Sequence, residues 1–317
     1  MTRTTWLQAL TAVGSIALAS CGGSSEPPAA EQSTGQENEP VPPIAAPTPE
    51  PAPPAPVAGT PSVAEPAQPV QPAITPVDPA TAPQPVAIKV PKNVQTLIDA
   101  KDRTDADRAL DAGRHPGETV AFAGVKPGMK IADIMSGTGY TTELLARAVG
   151  KKGVVYAQNN KFIVEKFAAA PWAERLARPA NKNVVRVDRE LEDPLPPEAK
   201  DLDAVFNVLI YHDLFWSKVD RAKMNAAIFA ALKPGGAYVV IDHSGRTGSG
   251  SSEVMTLHRI EESTVRADIE AAGFKLESEG QFLRNPQDTR DWNDSPMAAK
   301  ERRGSSDRFV LKFVKPK

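Results

Sequence analysis

Short apolar segments alternate with helix-like amphipathic segments through the middle of this chain. The short apolar runs predict strands at 130–135, 153–158, 183–187, 203–208 and 236–242. The segments between them carry apolar residues at helical spacing and predict helices at 140–149, 161–177 and 217–232. This alternation is typical of a parallel sheet wound with helices, whose strands are buried on both faces.

The flanking segments extend this pattern into a complete domain, predicted to span 88–317. Residues 94–112 are polar and predict one or two helices that end near Gly113. A Gly/Ser-rich loop at 244–252 is followed by a predicted helix at 263–272 and predicted strands at 274–283 and 307–315. We expect these last two strands to pair antiparallel at the end of the sheet. The predicted fold is α/β: a Rossmann-like, doubly wound, mostly parallel seven-stranded sheet with an antiparallel last strand.

The N-terminal residues 1–20 have the pattern of an export signal. Arg3 precedes an apolar run that is too short to span a bilayer and that ends in small residues. The segment LASCGG is similar to the lipobox of bacterial lipoproteins, and this resemblance implies a lipid on Cys21. Cys21 is the chain's single cysteine and has no intramolecular disulfide partner. We expect an exported protein, anchored at Cys21 to an envelope membrane, with its globular domain in the periplasm. The alternative is an ordinary signal peptide that leaves Cys21 as a free thiol.

Residues 21–87 predict a disordered linker between anchor and domain. They hold most of the 31 prolines and too little apolar surface to offset chain entropy. We expect an extended tether, partly in polyproline II conformation; a proline-motif ligand for a partner is the alternative. Beyond the linker the chain is only mildly basic and lacks interleaved aromatic and basic residues, so we expect no nucleic-acid partner. No obligate protein partner is evident.

The loop after the first predicted strand is the first candidate ligand site, because ligands of open α/β sheets bind at the carboxyl ends of strands. Asp133 leads into Ser136-Gly137-Thr138-Gly139 and then into a predicted helix. Glycines allow the backbone to approach a ligand closely, and a helix N-terminus offers free N–H groups. A dinucleotide-binding loop would have a third glycine where this chain has Thr142.

With its context, VKPGMKIADIMSGTGYTTELLA, this loop resembles motif I of class I S-adenosylmethionine-dependent methyltransferases. The segments VYAQN, DLDAVFNVLIYHDL and LKPGGAYVVIDHS extend the resemblance over residues 113–315. RHPGETVAF, YHDLFW, DHSGRTGSG, LHRI and DRFVLKF look like a group of exported methyltransferases of unknown substrate. The resemblance implies S-adenosylmethionine as cofactor. It points to the following cofactor contacts: Asp133, Ser136, Gly137, Gly139, Asn159, Asp188 and Asn207.

Two positions depart from the superfamily pattern. Met135 replaces a glycine, so the loop either takes a different turn or carries strain of about 1–2 kcal/mol at a left-handed residue. Asn159 replaces the acid that binds the ribose hydroxyls, and it can hydrogen-bond a hydroxyl only without charge assistance. The sequence fits Asp188 equally well as a structural turn residue and as a cofactor contact.

Histidines near strand ends provide the second set of candidates. The candidate catalytic residues are His212, His243, Asp213 and Asp242, and the candidate substrate contacts are Tyr211, His258 and Arg259. His212 or His243 could remove a proton from an O or N nucleophile, with Asp213 or Asp242 orienting the ring. A lone histidine is more often structural, and Arg259 could equally cap a helix. A His/Asp metal site is the rival interpretation, but no HExxH-like spacing is present, so we expect no metal.

Three functions are compatible with these features. The preferred one is an S-adenosylmethionine-dependent methyltransferase that acts outside the cytoplasm on a small-molecule or envelope acceptor of unknown identity. The second is a non-catalytic or re-purposed binding domain, favoured by export away from the compartment that makes the cofactor. The third is a nucleotide-dependent oxidoreductase, which Thr142 and Asn159 disfavour. The fold alone does not choose among them.

Overall fold

The computed structural model describes residues 74, 78–80 and 82–317. The predicted signal segment, Cys21 and most of the predicted linker lie outside these residues. None of the helices in the described ranges is long and apolar enough to cross a membrane.

Seven strands form one sheet in the order β3-β2-β1-β4-β5-β7-β6. The strands are β1 (Lys130–Ile134), β2 (Val154–Asn159), β3 (Val184–Asp188), β4 (Leu202–Val208), β5 (Leu232–His243), β6 (Lys275–Gly280) and β7 (Arg308–Val314). Strand β7 runs antiparallel to both β5 and β6, and the other neighbouring pairs are parallel. The predicted mostly parallel, seven-stranded sheet with an antiparallel last strand is therefore confirmed.

Helices cover both faces of this sheet. They are α1 (Lys92–Ile98), α2 (Asp105–Arg114), α3 (Pro116–Ala123), α4 (Tyr140–Val149), α5 (Lys161–Ile163), α6 (Ala169–Leu176), α7 (Asp213–Trp216), α8 (Arg221–Ala231) and α9 (Glu262–Ala271). A π-helical turn, Val164–Ala168, divides the predicted 161–177 helix. Helix α3 was not predicted, although Pro116 at its first position and left-handed Gly124 after its end are ordinary helix boundaries.

Alternate residues along β4 pack against different helical layers. Phe206 lies in a core with Leu145 and Val149 of α4, whereas Val205 lies in the opposite core with Ile228 of α8. Each of these side chains is almost fully buried, and burial of a large apolar side chain contributes about 1.5–3 kcal/mol. The sheet is therefore doubly wound, as predicted.

The strand order reverses between β1 and β4. From β1 the chain proceeds outward through β2 and β3, whereas from β4 it proceeds to β5 on the other side. The crevice outside the carboxyl ends of two such strands is where open α/β sheets bind their ligands. The loops that begin at Met135 and Leu209 therefore meet at this crevice.

A buried ion-pair cluster fixes α2 above the same edge of the sheet. Arg175 of α6 lies 2.7 Å from Asp107 of α2 and 2.9 Å from Glu143 of α4. All three side chains are less than a tenth exposed. By anchoring Asp107, the cluster holds the C-terminal part of α2, which includes Leu110 and Arg114, over the crevice.

Candidate active site

The loop after β1 carries three residues in the left-handed region of backbone space. Met135 has a φ of 50°, Gly137 of 57° and Gly139 of 82°. Of the two alternatives that the sequence left for Met135, the structure shows the left-handed one. A hydrogen bond of 2.9 Å from the Met135 N–H to the side-chain oxygen of Gln158 holds this conformation. Gln158 is fully buried and was not among the predicted site residues.

Asn159 braces the same loop from the end of β2. Its Oδ1 accepts a hydrogen bond of 2.8 Å from the Gly137 N–H, and its Nδ2 donates one of 3.0 Å to the Gly137 carbonyl. The side chain is fully buried. In this structure the amide is thus used to shape the glycine loop, and its predicted role as a ribose contact stays a prediction.

Gly139 is enclosed by α6. An added Cβ would lie 2.3 Å from Cζ3 of Trp172 and 2.6 Å from Cδ of Arg175, well inside van der Waals contact. The Arg175 Nε also donates a hydrogen bond of 2.5 Å to the Thr138 carbonyl. Close approach of α6 therefore requires glycine at position 139, whereas a Cβ on Gly137 would meet nothing within 4 Å.

A cavity of 220 Å³ lies over this loop, and we call it the glycine-loop cavity. Asp133, Ser136 and Gly137 line it, together with Leu110 and Leu209 from the opposite walls. Gly139, Asn159, Asp188 and Asn207 do not line it.

Asp133 is an unusual carboxyl group in this cavity. Burial raises its pKa to about 7, although a hydrogen bond from Thr142 and the charge of Arg114 act in the opposite direction. The Thr142 hydroxyl donates to Asp133 Oδ2 at 2.6 Å. Thr142, which argued against a dinucleotide loop, thus has a defined partner here.

A second cavity of 300 Å³ adjoins the first, and we call it the histidine cavity. The two cavities share Leu110, Arg114, Leu209 and Arg303 as lining residues. Small-molecule sites typically enclose about 300–1,000 Å³, and the two adjoining cavities together lie within this range.

Three of the four histidines converge at the second cavity. The ring centroid of His212 lies 4.0 Å from that of His258 and 5.6 Å from that of His243. His243 and His258 line the histidine cavity, whereas His212 lies behind them and is fully buried. The structure therefore brings together three residues that the sequence placed in two separate strand-end loops.

Carboxylates orient two of these rings. His212 Nδ1 lies 2.7 Å from Asp242 Oδ1, and its backbone N–H donates to Asp242 Oδ2 at 2.8 Å. His243 Nδ1 lies 2.5 Å from Asp294 Oδ2 and 2.9 Å from the Ser306 hydroxyl. Asp242 was predicted as an orienting group, whereas Asp294 was missed because its loop carries no recognisable motif.

The three histidines have different electrostatic environments. Burial opposes a charge on His212, but Asp242 and Asp213 outweigh burial and raise its pKa to about 10. Burial and the neighbouring charge of His212 lower the pKa of His258 to about 4. Burial also lowers the pKa of His243. His243 and His258 are therefore neutral near pH 7.

Arginines supply the charge of the histidine cavity. Arg114, Arg303 and Arg308 line it, and none of them has a carboxylate within ion-pair distance among the described residues. Arg308 is 4% exposed and donates to the carbonyls of Gly304 and Ser306. Burial lowers its pKa to about 10, which keeps it charged at neutral pH. Arg308 lies in the DRFVLKF segment, whose sequence pattern predicted no role for it.

Two predicted substrate contacts lie in the interior of this structure. Arg259 is fully buried, lies 2.8 Å from Asp288 and has its guanidinium 4.6 Å from the centre of the Trp292 ring. Tyr211 is fully buried, and its hydroxyl accepts a hydrogen bond of 2.9 Å from Asn225. Both side chains have internal partners here, and their roles as substrate contacts stay predictions.

Two predicted cofactor contacts lie away from both cavities. Asp188 is half-exposed at the end of β3 and pairs with Arg186 at 2.9 Å. Asn207 is fully buried near the end of β4. Their roles stay predictions.

The comparisons with known proteins agree with this arrangement. Residues 101–187, which contain the glycine loop and β2, match the model of the protein-L-isoaspartate (D-aspartate) O-methyltransferase family. This match spans less than half of the chain. No curated protein matches the sequence.

Several solved structures have a similar chain path. An S-adenosylmethionine-dependent methyltransferase from Aquifex aeolicus is 20% identical, with coverage of 70% of this chain and 97% of that chain and a TM-score of 0.46. A TehB-like S-adenosylmethionine-dependent methyltransferase from Corynebacterium glutamicum is 16% identical, with coverages of 70% and 93% and a TM-score of 0.40. An Aeropyrum pernix fibrillarin with natively bound S-adenosyl-L-methionine is 14% identical, with coverages of 60% and 68% and a TM-score of 0.38.

The strand order is that of the predicted Rossmann-like fold, and the family match over residues 101–187 supports the predicted resemblance to class I S-adenosylmethionine-dependent methyltransferases. The same match supports the predicted cofactor, S-adenosylmethionine. The glycine-loop cavity lies at the switch point of the sheet, where open α/β folds bind their ligands.

Proposed function

We propose that the protein transfers the methyl group of S-adenosylmethionine to an anionic acceptor bound in the histidine cavity. The observation that carries this proposal is the direct junction of the two cavities, one lined by the glycine loop and the other by three arginines without carboxylate partners. Methyl transfer is an in-line displacement in which positioning of donor and acceptor supplies most of the catalysis.

The donor occupies the glycine-loop cavity in this proposal. Asp133 offers a carboxyl group, and left-handed Gly137 brings the backbone close to the cavity. The ionised form of Asp133, which predominates above about pH 7, attracts the positively charged amino and sulfonium groups of the donor. Leu209, which lines both cavities, then lies between the donor and the acceptor.

We infer that the acceptor carries a negative charge, because three arginines make the lining of the histidine cavity positive. Arg114, Arg303 and Arg308 face it, and the acid Asp294 in its wall is already engaged by His243. An unpaired guanidinium binds carboxylate or phosphate through charge-assisted hydrogen bonds, which are about twice as strong as neutral ones. A carboxylate or phosphate on the acceptor therefore provides the partner that these arginines lack.

His243 removes the proton when the nucleophile is a hydroxyl or an amine. Of the two histidines that the sequence offered for this role, His243 lines the cavity and His212 does not. Asp294 at its Nδ1 leaves Nε2 to accept the proton. The acceptor's O or N then bonds to the methyl carbon, the carbon–sulfur bond breaks, and S-adenosylhomocysteine leaves.

The site of action is also part of the proposal. The signal-like residues 1–20 and the lipobox-like segment around Cys21 support export and lipid anchoring. Cys21→Ser tests the anchor: the wild-type protein is expected in the membrane fraction and the variant in the soluble envelope fraction. An equal distribution of both proteins would exclude the anchor without affecting the enzyme proposal.

Methyl transfer itself is tested with methyl-labelled S-adenosylmethionine, the full chain and an extract of envelope small molecules. We expect label in an anionic product. We expect the yield of labelled product to be at least tenfold lower with Arg114→Met and with Arg303→Met. Arg186→Met, which alters an exposed pair outside both cavities, is the matched control. Donor binding without any transfer, and without any effect of the arginine variants, would instead support the binding-domain alternative.

A further inference from the structure

We propose that His212, Asp213 and His258 bind a divalent first-row transition metal ion at the edge of the histidine cavity. One nitrogen or oxygen from each of the three side chains lies within 4.8 Å of the others. This site goes beyond methyl transfer, because its occupancy does not depend on S-adenosylmethionine.

The distances between the candidate ligand atoms suit a metal ion. His212 Nε2 lies 3.2 Å from Asp213 Oδ1, and His258 Nδ1 lies 3.9 Å from the same oxygen. Metal–ligand bonds of about 2.0–2.2 Å at tetrahedral or octahedral angles place neighbouring ligand atoms about 2.8–3.6 Å apart, so His258 would have to move slightly toward Asp213. The three atoms therefore surround a point that a cation can occupy with only small movements of the side chains.

Asp242 prepares His212 for this role. It lies at Nδ1 of the ring, so the ring proton is held on that side and Nε2 points toward Asp213 and His258. Nε2 is buried and has no hydrogen-bond partner of acceptable geometry among the described residues. A histidine whose other nitrogen donates to a carboxylate is the usual arrangement behind a metal ion, and here the ion would replace the proton that Nε2 otherwise shares with Asp213.

The donor set indicates the kind of metal. Two imidazoles and one carboxylate suit zinc, iron, cobalt or manganese better than magnesium or calcium, which prefer oxygen ligands. Three protein ligands leave open positions, as in catalytic sites. Because His258 lines the histidine cavity, the open side faces the bound molecule, whose oxygen or nitrogen can complete the coordination.

The backbone at His258 supports a specific role. This residue has a φ of 58°, in the left-handed region that only a few per cent of non-glycine residues adopt and in which histidine is enriched. Strained residues of this kind cluster at functional sites, where surrounding structure holds them in place. The expectation of no metal rested on the absence of an HExxH-like spacing, but these ligands come from two loops that are 45 residues apart (213 to 258) in sequence.

Cobalt(II) is the probe for this site because its visible absorption reports coordination by nitrogen and oxygen. The full chain carrying Cys21→Ser, which removes the thiol as a competing ligand, is stripped with chelator and titrated with Co²⁺ in the absence of S-adenosylmethionine. We expect one Co²⁺ per chain, displaced by Zn²⁺. We expect His258→Ala and Asp213→Asn to weaken binding at least 100-fold, and Asp242→Asn to weaken it by about 10- to 100-fold.

His115→Asn is the matched control, because His115 is the fourth histidine and lies at the start of α3, outside the cluster. Asparagine tolerates its left-handed backbone. Circular dichroism of each variant separates loss of a ligand from loss of the fold. The proposal is overturned if the full chain binds no Co²⁺, or if His258→Ala binds as tightly as His115→Asn. Either result leaves methyl transfer open, since that activity is measured separately.

Discussion

Asn159 and Gly137 hold each other through two hydrogen bonds, one in each direction between a side-chain amide and a backbone peptide. This pairing explains how the chain forms a glycine loop although the usual acid after β2 is replaced. The amide is suited to the task because it donates and accepts at the same time.

Restoring the acid should therefore weaken the cofactor site. In Asn159→Asp, the oxygen that replaces Nδ2 would lie about 3 Å from the Gly137 carbonyl and repel it, while one hydrogen bond is lost. We expect S-adenosylhomocysteine to bind about tenfold more weakly by calorimetry. Tighter binding by Asn159→Asp would mean that position 159 contacts the ribose directly.

The two glycines of the loop should respond very differently to alanine. Gly139→Ala forces a Cβ against Trp172 and Arg175, and we expect a loss of about 3 kcal/mol or more of folding stability from overpacking and strain. Gly137→Ala has open space at its Cβ and should lose only about 1 kcal/mol from its positive φ. Urea unfolding of the two variants makes this comparison, and equal losses would refute the packing of α6 described above.

Asp133 should make stability depend on pH. Its pKa in the folded protein is about 7, against about 3.9 in an unfolded chain. Between about pH 4 and pH 7, the folded state therefore keeps a proton on Asp133 that the unfolded state loses. The contribution of Asp133 to the free energy of unfolding falls over this range and then stays constant at higher pH. The full difference is at most about 4 kcal/mol.

Asp133→Asn removes this dependence. The free energy of unfolding of the variant minus that of wild type should increase from pH 5 to pH 8, as measured by urea unfolding at each pH. The charge of Arg114 and the hydroxyl of Thr142 face the same carboxyl group and remain in both proteins. A difference between variant and wild type that does not change with pH would show that Asp133 is already ionised at pH 5.

The Arg175 cluster should contribute strongly to the attachment of α2. Arg175→Met removes the shortest contact of Asp107, which keeps Arg178 at 3.4 Å, while Glu143 keeps Arg147 at 2.8 Å. Removal of the sole partner from a buried ion pair typically costs about 3–5 kcal/mol, so we expect a loss of about 2–3 kcal/mol here. The control Arg186→Met breaks an exposed pair and should cost at most about 1 kcal/mol. Similar unfolding midpoints for the two variants would contradict this account.

The regular part of the fold could be predicted from the sequence because period and length distinguish buried strands from amphipathic helices. All seven strands lie within a few residues of their predicted positions, for example β4 at Leu202–Val208. Two features were harder to predict from the sequence. The π-turn at Val164–Ala168 does not change the helical spacing of apolar residues, and α3 lacks a strong amphipathic pattern.

The site was only partly predictable for a different reason. A strand-end position identifies residues near the crevice, such as His243, but it does not say which side chains point into it. Tyr211 follows β4 and yet packs into the core, while Arg308 begins an antiparallel strand and faces the histidine cavity. The partners Asp294 and Arg114 come from distant segments that carry no motif, so only the folded chain shows them beside His243 and Asp133.

The most direct test of the central claim is a calorimetric titration of S-adenosylmethionine and S-adenosylhomocysteine into the full chain, with Asn159→Asp as the comparison. The account predicts one binding site per chain for both ligands, with weaker binding in the variant. Failure of the correctly folded wild-type protein to bind either ligand would contradict it.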